Sequence, residues 1–412
     1  MKSEATAIEQ GIRAVAVGKK GSKNCPEEVA AQILEDLQQG RIHPVQIGAF
    51  FGALAIKGVE PSEQSVADAV SLADVEAFLD CVANDTPVEM RGLCQKLLEG
   101  KELNLSEAQQ VGEFFFSDQP GDTARSLMAT ILRVRYANPE EYAGIYFAMR
   151  ESFAKPFQEP VPSGGRVALL SEPFDGVERS YLLTPLIAAW LGKQGYRVLS
   201  AVGESSGPKY GVTLMDLAES LDGNFLESNS EFTGDLPTYG WYVDQAKLSP
   251  AVHRWVGIRK KLLKRPGLAT LERFANPVAA DLFINSTFHP PFAEKSVEIA
   301  QHLGFRAIIV LCKGTEGTLG CALKRRATVY CAARGKDAEW HRTQFASSAG
   351  DLGVDTPDEP ELNGVDVSKN ASLIEAYAKD GTSGDAHFDG RAEYTLKVMA
   401  QALDWIDEHL GS

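Results

Sequence analysis

From residue 166 onward the chain alternates short apolar runs with amphipathic stretches, and this alternation restricts the fold more than any other feature. RVALLS (166–171) is followed by a polar loop and TPLIAAWLGKQG (184–195), then YRVLSAV (196–202), a second polar loop and TLMDLAESLDG (213–223). Further on, AADLFINSTFHPPF (279–292), AEKSVEIAQHLG (293–304) and FRAIIVLCKGTEG (305–317) repeat the order of strand, helix and strand. Strand, loop, helix and strand in succession implies a parallel sheet with right-handed crossovers. Thr184 is positioned as an N-cap with Pro185 at the first helical position and Gly195 as the stop, and Thr213 with Asp216 has the spacing of a capping box. Open α/β sheets bind ligands at the carboxyl ends of their strands, so loops 172–183, 203–212, 286–292 and 313–319 are expected to converge on one cleft.

Before residue 150 the pattern is helical. EEVAAQILEDLQQG (27–40) places Val29, Ile33, Leu34 and Leu37 on one face, with Gly40 as the stop. The sequence also matches itself: QIGAFFGALAIKGVEPSEQ (46–64) aligns with ARSLMATILRVRYANPEEY (124–142), so that Pro61 meets Pro139 and Lys57 meets Arg135 at an offset of 78 residues. Each copy reads as an amphipathic helix with a basic residue near its end, followed by a proline-led start to the next helix. Two copies are too few for a solenoid, so a duplicated helical module is expected. The Pro/Gly-rich stretch FAKPFQEPVPSGG (153–165) marks the change of pattern. The expected fold is α/β: an extra helical module over 1–95, a second helical segment over 96–160, and an α/β domain with a mostly parallel central sheet over 161–412.

Charge and composition narrow the function. A formal net charge of −15 repels nucleic-acid phosphates at long range. No apolar run reaches the roughly 18 to 20 residues of a membrane-spanning helix, so a cytoplasmic protein without a membrane partner is expected. The six cysteines form no CxxC pair and no histidines stand at metal spacing, which points to reduced, mostly buried thiols and to no protein-held metal.

Two loops carry the residue types that bind phosphate, namely close-approaching glycine N–H groups and hydroxyls ahead of a helix. GESSGPKYG (203–211) supplies Gly203, Ser205, Ser206, Gly207, Lys209 and Gly211 just before Thr213, and is the expected cradle. SEPFDGVERSYLLTP (171–185) supplies Asp175, Gly176, Arg179 and Thr184. His289 and Glu316 lie at strand ends where they could touch a ligand. Separately, HRWVGIRKKLLKR (253–265) concentrates Arg254, Arg259, Lys260, Lys261, Lys264 and Arg265; on one helix, 254, 261 and 265 would fall together, away from Val256, Leu262 and Leu263. Such a stripe would be an anion-binding rim for a phosphorylated substrate or for nucleic acid.

These stretches resemble the anthranilate phosphoribosyltransferase family, of the glycosyltransferase family 3 and nucleoside phosphorylase-like fold, and more closely its divergent tryptophan-D-like paralogue branch. The resemblance runs over about residues 103 to 412. It is carried by LNLSEAQQVGEFFFSDQPGDTARSLMATILRVRYANPEEYAGIYFAMRE (103–151), FDGVERSYLLTP (174–185), GVTLMDLAESL (211–221), LSPAVHRWVGIRKKL (248–262), LATLERFANP (268–277), FHPPF (288–292) and KGTEG (313–317). It implies a homodimer through the helices and a cleft for phosphoribosyl pyrophosphate (PRPP), magnesium and an aromatic amine. The family's GTGGD loop corresponds to SEPFD (171–175), which keeps Asp175, followed by Gly176, without the adjacent glycines. Its Asn-x-Ser-Thr becomes YLLT (181–184), with Leu183 in place of the serine. Its Lys-His-Gly-Asn-Arg becomes AVGES (201–205), and its acidic pair falls near Thr318 and Leu319. The resemblance therefore implies a protein that binds a phosphorylated or nucleotide-like ligand with most magnesium contacts replaced. A nucleic-acid-binding homodimer without enzymatic activity, and a scaffold for a protein partner, are the alternatives.

Overall fold

Alternating helices of like length recur along the first 150 residues because the sequence itself recurs. The computed structural model describes all residues except 1–4, 19–20, 162–163, 208, 359, 361, 363 and 412, and the chain divides into two units, 1–152 with 251–271 and 153–250 with 272–412. Residues 251–271, expected within the α/β part, group with the helices. The first unit contains α1 (Ala7–Val15), α2 (Glu27–Gln38), α3 (Pro44–Lys57), α4 (Gln64–Asp68), α5 (Val75–Val82), α6 (Val88–Leu98), α7 (Leu105–Phe116), α8 (Asp122–Arg135) and α9 (Pro139–Glu151). Helices α2 and α3 reappear as α7 and α8 at the 78-residue offset, and the 3₁₀ turn Pro61–Glu63 that leads into α4 reappears as the start of α9.

The two copies are locked by the same buried carboxylate. Glu63, fully buried, accepts the Cys25 N–H at 2.7 Å and the Glu60 N–H at 2.9 Å, and pairs with Lys57 at 2.9 Å. Glu141, also fully buried, accepts the Leu103 N–H at 2.9 Å and the Asn138 N–H at 2.8 Å, and pairs with Arg135 at 2.5 Å. Each partner in one copy is the 78-residue counterpart of its partner in the other. A carboxylate taken out of water needs this many donors to recover its hydration. Between the copies, α3 packs on α8 at close range: a Cβ at Gly48 would lie 2.1 Å from both the Ser126 hydroxyl and the Thr123 carbonyl oxygen.

In the second unit the strands are β1 (Arg166–Ser171), β2 (Tyr196–Val202), β3 (Asn224–Phe225), β4 (Trp241–Asp244), β5 (Leu282–Thr287), β6 (Ala307–Cys312), β7 (Ala327–Arg334) and β8 (Trp340–Ser347). They form one sheet in the order β3-β4-β2-β1-β5-β6-β7-β8. The sheet is parallel from β3 to β6 and antiparallel where β7 and β8 are added. β1 is central, pairing with β2 on one side and β5 on the other, so its C-terminal end lies where the strand order changes direction. Ile187 and Leu191 of α10 (Thr184–Lys193) pack with Val198, Ile309 and Val329, and with Val398, Met399 and Ile406 of the C-terminal helix Ala386–His409, in one buried cluster. Thr184 is the first residue of α10 and not its cap; Leu183 holds the cap position, and the Thr184 hydroxyl is buried and makes no hydrogen bond with the described residues. Five of the six cysteines are buried and all are free thiols. Among the described residues, no helix is long and apolar enough to cross a membrane.

Replacing Glu141 with alanine leaves Arg135 only its longer pairing with Glu102 at 3.8 Å and strands two backbone N–H groups, and the expected loss is about 3–5 kcal/mol. Urea unfolding of Glu141→Ala and Glu63→Ala reads it, and a loss under about 1 kcal/mol for both would contradict the role given to these carboxylates.

Candidate functional site

The loops after β1 and β2 meet backbone to backbone. Val177 and Val212 exchange N–H···O bonds of 2.8 and 2.9 Å, and the Gly211 N–H donates to the Asp175 carbonyl at 3.0 Å. Gly176 sits at φ 71°, and a Cβ there would lie 2.6 Å from the Gly211 carbonyl; a Cβ at Gly211 would lie 2.5 Å from the Val177 carbonyl. Both glycines are thus required by the crossing of two main chains. The Ser206 N–H donates to the Phe174 carbonyl at 3.0 Å, its hydroxyl lies 3.2 Å from the same oxygen, and the Ser205 hydroxyl donates to the Gly211 carbonyl at 2.7 Å. Gly203 is buried against the Phe174 ring and Gly207 is half-buried beside Tyr210, while Pro208 lies outside the described residues. The stretch expected to cradle a phosphate therefore directs the Ser206 and Gly211 donors at the neighbouring loop and the Ser205 hydroxyl back into its own. Thr213 closes its capping box with Asp216, as its spacing implied, on α11 (Leu214–Ser220).

An anion does sit in the first loop, and it is the protein's own. The Glu316 carboxylate accepts the Glu178 N–H at 3.0 Å, the Arg179 N–H at 2.8 Å and the Ser180 hydroxyl at 2.9 Å, with Lys209 Nζ 3.5 Å away. Lys209 also donates to the Gly176 and Glu316 carbonyls at 3.2 and 3.1 Å. Burial alone would push the Glu316 carboxyl up, but the two backbone N–H groups, the hydroxyl and the lysine charge together hold it below its ordinary 4.5. Glu316 reaches this position from a left-handed backbone, φ 52°, in a loop where Lys313 is also left-handed at 63°. The C-terminal end of β5, where the expected loop 286–292 begins, supports it, since the Ser286 hydroxyl donates to the Gly317 carbonyl at 2.7 Å and the Lys313 N–H to the Thr287 carbonyl at 2.8 Å. The four expected loops thus converge.

Two residues that the sequence reading missed complete the frame. The Asn370 amide, fully buried in the helix Val367–Asp380, bonds both ways with the Leu182 backbone, at 2.8 and 3.1 Å. Arg391 donates to the Tyr181 carbonyl at 3.1 Å and the Cys321 carbonyl at 3.2 Å, tying the first loop to the segment after Glu316. At the end of β1, burial pushes the Glu172 carboxyl up to about 8 against the pull of the Leu319 N–H and the Arg391 charge.

No protein-family model matches the chain. An uncharacterized protein of Aquifex aeolicus is 25% identical over 317 residues, covering 76% of this chain and 92% of that one. The anthranilate phosphoribosyltransferase of Dictyoglomus turgidum is 22% identical over 332 residues, covering 77% and 93%. The anthranilate phosphoribosyltransferase of Saccharomyces cerevisiae, solved in complex with PRPP and Mg, shares the fold with a TM-score of 0.59 at 14% identity, over 78% of this chain and 90% of that one. Over about three quarters of its length the chain is thus similar to anthranilate phosphoribosyltransferases, and it shares their fold.

At positions that the resemblance assigns to magnesium and pyrophosphate, the chain carries buried apolar side chains. Leu183 and Leu319 are 1% and 0% exposed, and the Thr318 hydroxyl donates back to the Thr315 carbonyl at 2.8 Å. Among the described residues, no three of His, Cys, Asp and Glu converge as metal ligands. His289 is exposed, stacked edge-on to Phe288, and its side chain caps no helix. Asp175 is buried; Arg179 is exposed and joins the loop through its main chain.

The basic run belongs to the helical unit and does not form the single stripe expected. Its helix, Trp255–Leu262, ends where Leu263 turns left-handed at φ 59°, so Lys264 and Arg265 lie beyond it. Arg259 is buried, and Lys264 donates to the Arg13 carbonyl at 3.1 Å. Burial, with the charges of Arg133 and Arg13, lowers the Lys264 ammonium. Lys260, Lys261 and Arg265 are exposed, and Arg254 pairs with Asp118. Arg254 and Lys261 border a cavity of about 440 Å³ that Asp118, Asp122, Phe115 and Trp255 also line.

Glu172 and Glu316 are expected to act oppositely on stability. The folded carboxyl of Glu172 is raised, so its contribution is present below the ordinary 4.5 and is lost as pH climbs toward about 8. That of Glu316 is lowered, so its contribution is present above 4.5 and is lost on acidification below it. Melting temperatures across this range should decline less toward pH 8 in Glu172→Gln, and fall less in acid in Glu316→Gln, than in the wild type; parallel curves for all three would contradict both assignments.

Proposed function

We propose that this protein does not transfer a phosphoribosyl group to anthranilate and instead binds a phosphorylated or nucleotide-like small molecule at the donor set that Glu316 fills. The placement of that carboxylate carries the reading. Two backbone N–H groups, a hydroxyl and a lysine that hold a carboxylate can hold a phosphate oxygen by the same hydrogen bonds. The ligand displaces Glu316, which swings out on its own loop. The yeast relative's complex with PRPP and Mg supports the ligand class.

Loss of transfer rests on the same region. The residues present do not fit a magnesium–pyrophosphate group, because Leu183 and Leu319 offer no ligand atom. Each missing charge-stabilising contact removes a few kcal/mol from the transition state, about 2.7–4 for a single lost donor. The nucleic-acid reading draws less support, since Arg259 is buried, Lys264 and Arg265 leave the helix, and the net charge is −15.

PRPP with magnesium, added to the wild type and to Glu316→Ala, tests both parts. The alanine variant is expected to bind about tenfold more tightly, equivalent to ~1.4 kcal/mol, read as a larger rise in melting temperature. Neither protein is expected to form phosphoribosyl anthranilate. Turnover by the wild type, or equal binding by both, would contradict the proposal.

A further inference from the structure

The two helical modules do more than repeat one sequence: they pack on each other through the same helix. α3 and α8 are counterparts at the 78-residue offset, and they are also direct neighbours. Gly48 is the counterpart of Ser126, and these two residues touch; a Cβ on Gly48 would lie 2.1 Å from the Ser126 hydroxyl oxygen. One turn further, a Cβ on Gly52 would lie 2.9 Å from the Leu127 carbonyl oxygen. A residue in contact with its own counterpart is the signature of an isologous interface, in which one surface meets itself across a two-fold axis. Here both surfaces belong to one chain.

The packing leaves little of either helix exposed. Every residue of α8 from Thr123 to Leu132 is buried, and so are Val45 and the run from Gly48 to Leu54 on α3. The helix Trp255–Leu262 also packs on α3. Small residues at the crossing permit main-chain approach that a side chain at Gly48 would block.

We infer that the N-terminal module takes the place of a partner subunit: the chain carries a two-fold pair of helical modules within itself, and α8 is closed to a second copy. The homodimer through the helices that the family resemblance implies is thereby replaced by an intramolecular one. A second copy could reach α8 only after α3 had left it.

Light scattering on the full chain after size exclusion tests this, from micromolar to sub-millimolar concentration. The expected mass is 44.6 kDa throughout; twice that mass overturns the inference. Gly48→Leu provides a second arm, because the added side chain must force α3 off α8. Concentration-dependent doubling of its mass supports the inference, and a variant with wild-type mass and wild-type melting temperature overturns it. Should that variant fail to fold, the wild-type mass decides alone.

Discussion

The hydrogen bonds between the Glu316 carboxylate and the loop after β1 are the constraint on which the rest of the site depends. Two consecutive N–H groups and a hydroxyl, from Glu178 to Ser180, point at one spot and require an acceptor there. Glu316 supplies it only because its own backbone turns left-handed and because the Ser286 hydroxyl holds the carbonyl of the next residue. Lys209 then balances the charge while gripping the main chain on both sides, at Gly176 and Glu316. Gly176 and Gly211 let the loops after β1 and β2 cross closely enough to bring Lys209 there.

The same device recurs in the helical unit. Glu63 receives the N–H of Cys25 and Glu141 that of Leu103, each from a segment 38 residues earlier. In each case a carboxylate with little or no water satisfies main-chain donors that no secondary structure reaches, and a Lys or Arg neutralises it. A carboxylate is well suited to this because it accepts several bonds at once and holds two distant pieces of chain in register. At Glu316 the donors belong to the loop that, by family resemblance, would face pyrophosphate, so an internal anion stands where a ligand's would.

What the sequence revealed, and what it concealed, follows from the range of each interaction. The capping box of Thr213 and Asp216 spans three residues, and the duplication is visible because Pro61, Lys57 and their counterparts keep one offset. β1 and β2 are apolar runs bounded by polar loops, so they and their helices could be placed. Gly176, Gly211 and Lys209 were legible as special, but their partners were not: glycines that admit a phosphate and glycines that admit another main chain look alike. Asn370 and Arg391 act 188 and 210 residues from their partners in the loop, with no local signal in their helices. The basic run misled because helical spacing says which residues share a face, but not that Arg259 is covered or that Leu263 ends the helix.

The claim that Glu316 is bound by this loop is tested most directly by following the amide resonances of Glu178 and Arg179 through an acid titration. Both should shift together with a single midpoint below 4.5, the ordinary carboxyl value, and Glu316→Gln should abolish that transition. Amide shifts that are insensitive to Glu316, or a midpoint above 4.5, would contradict the account.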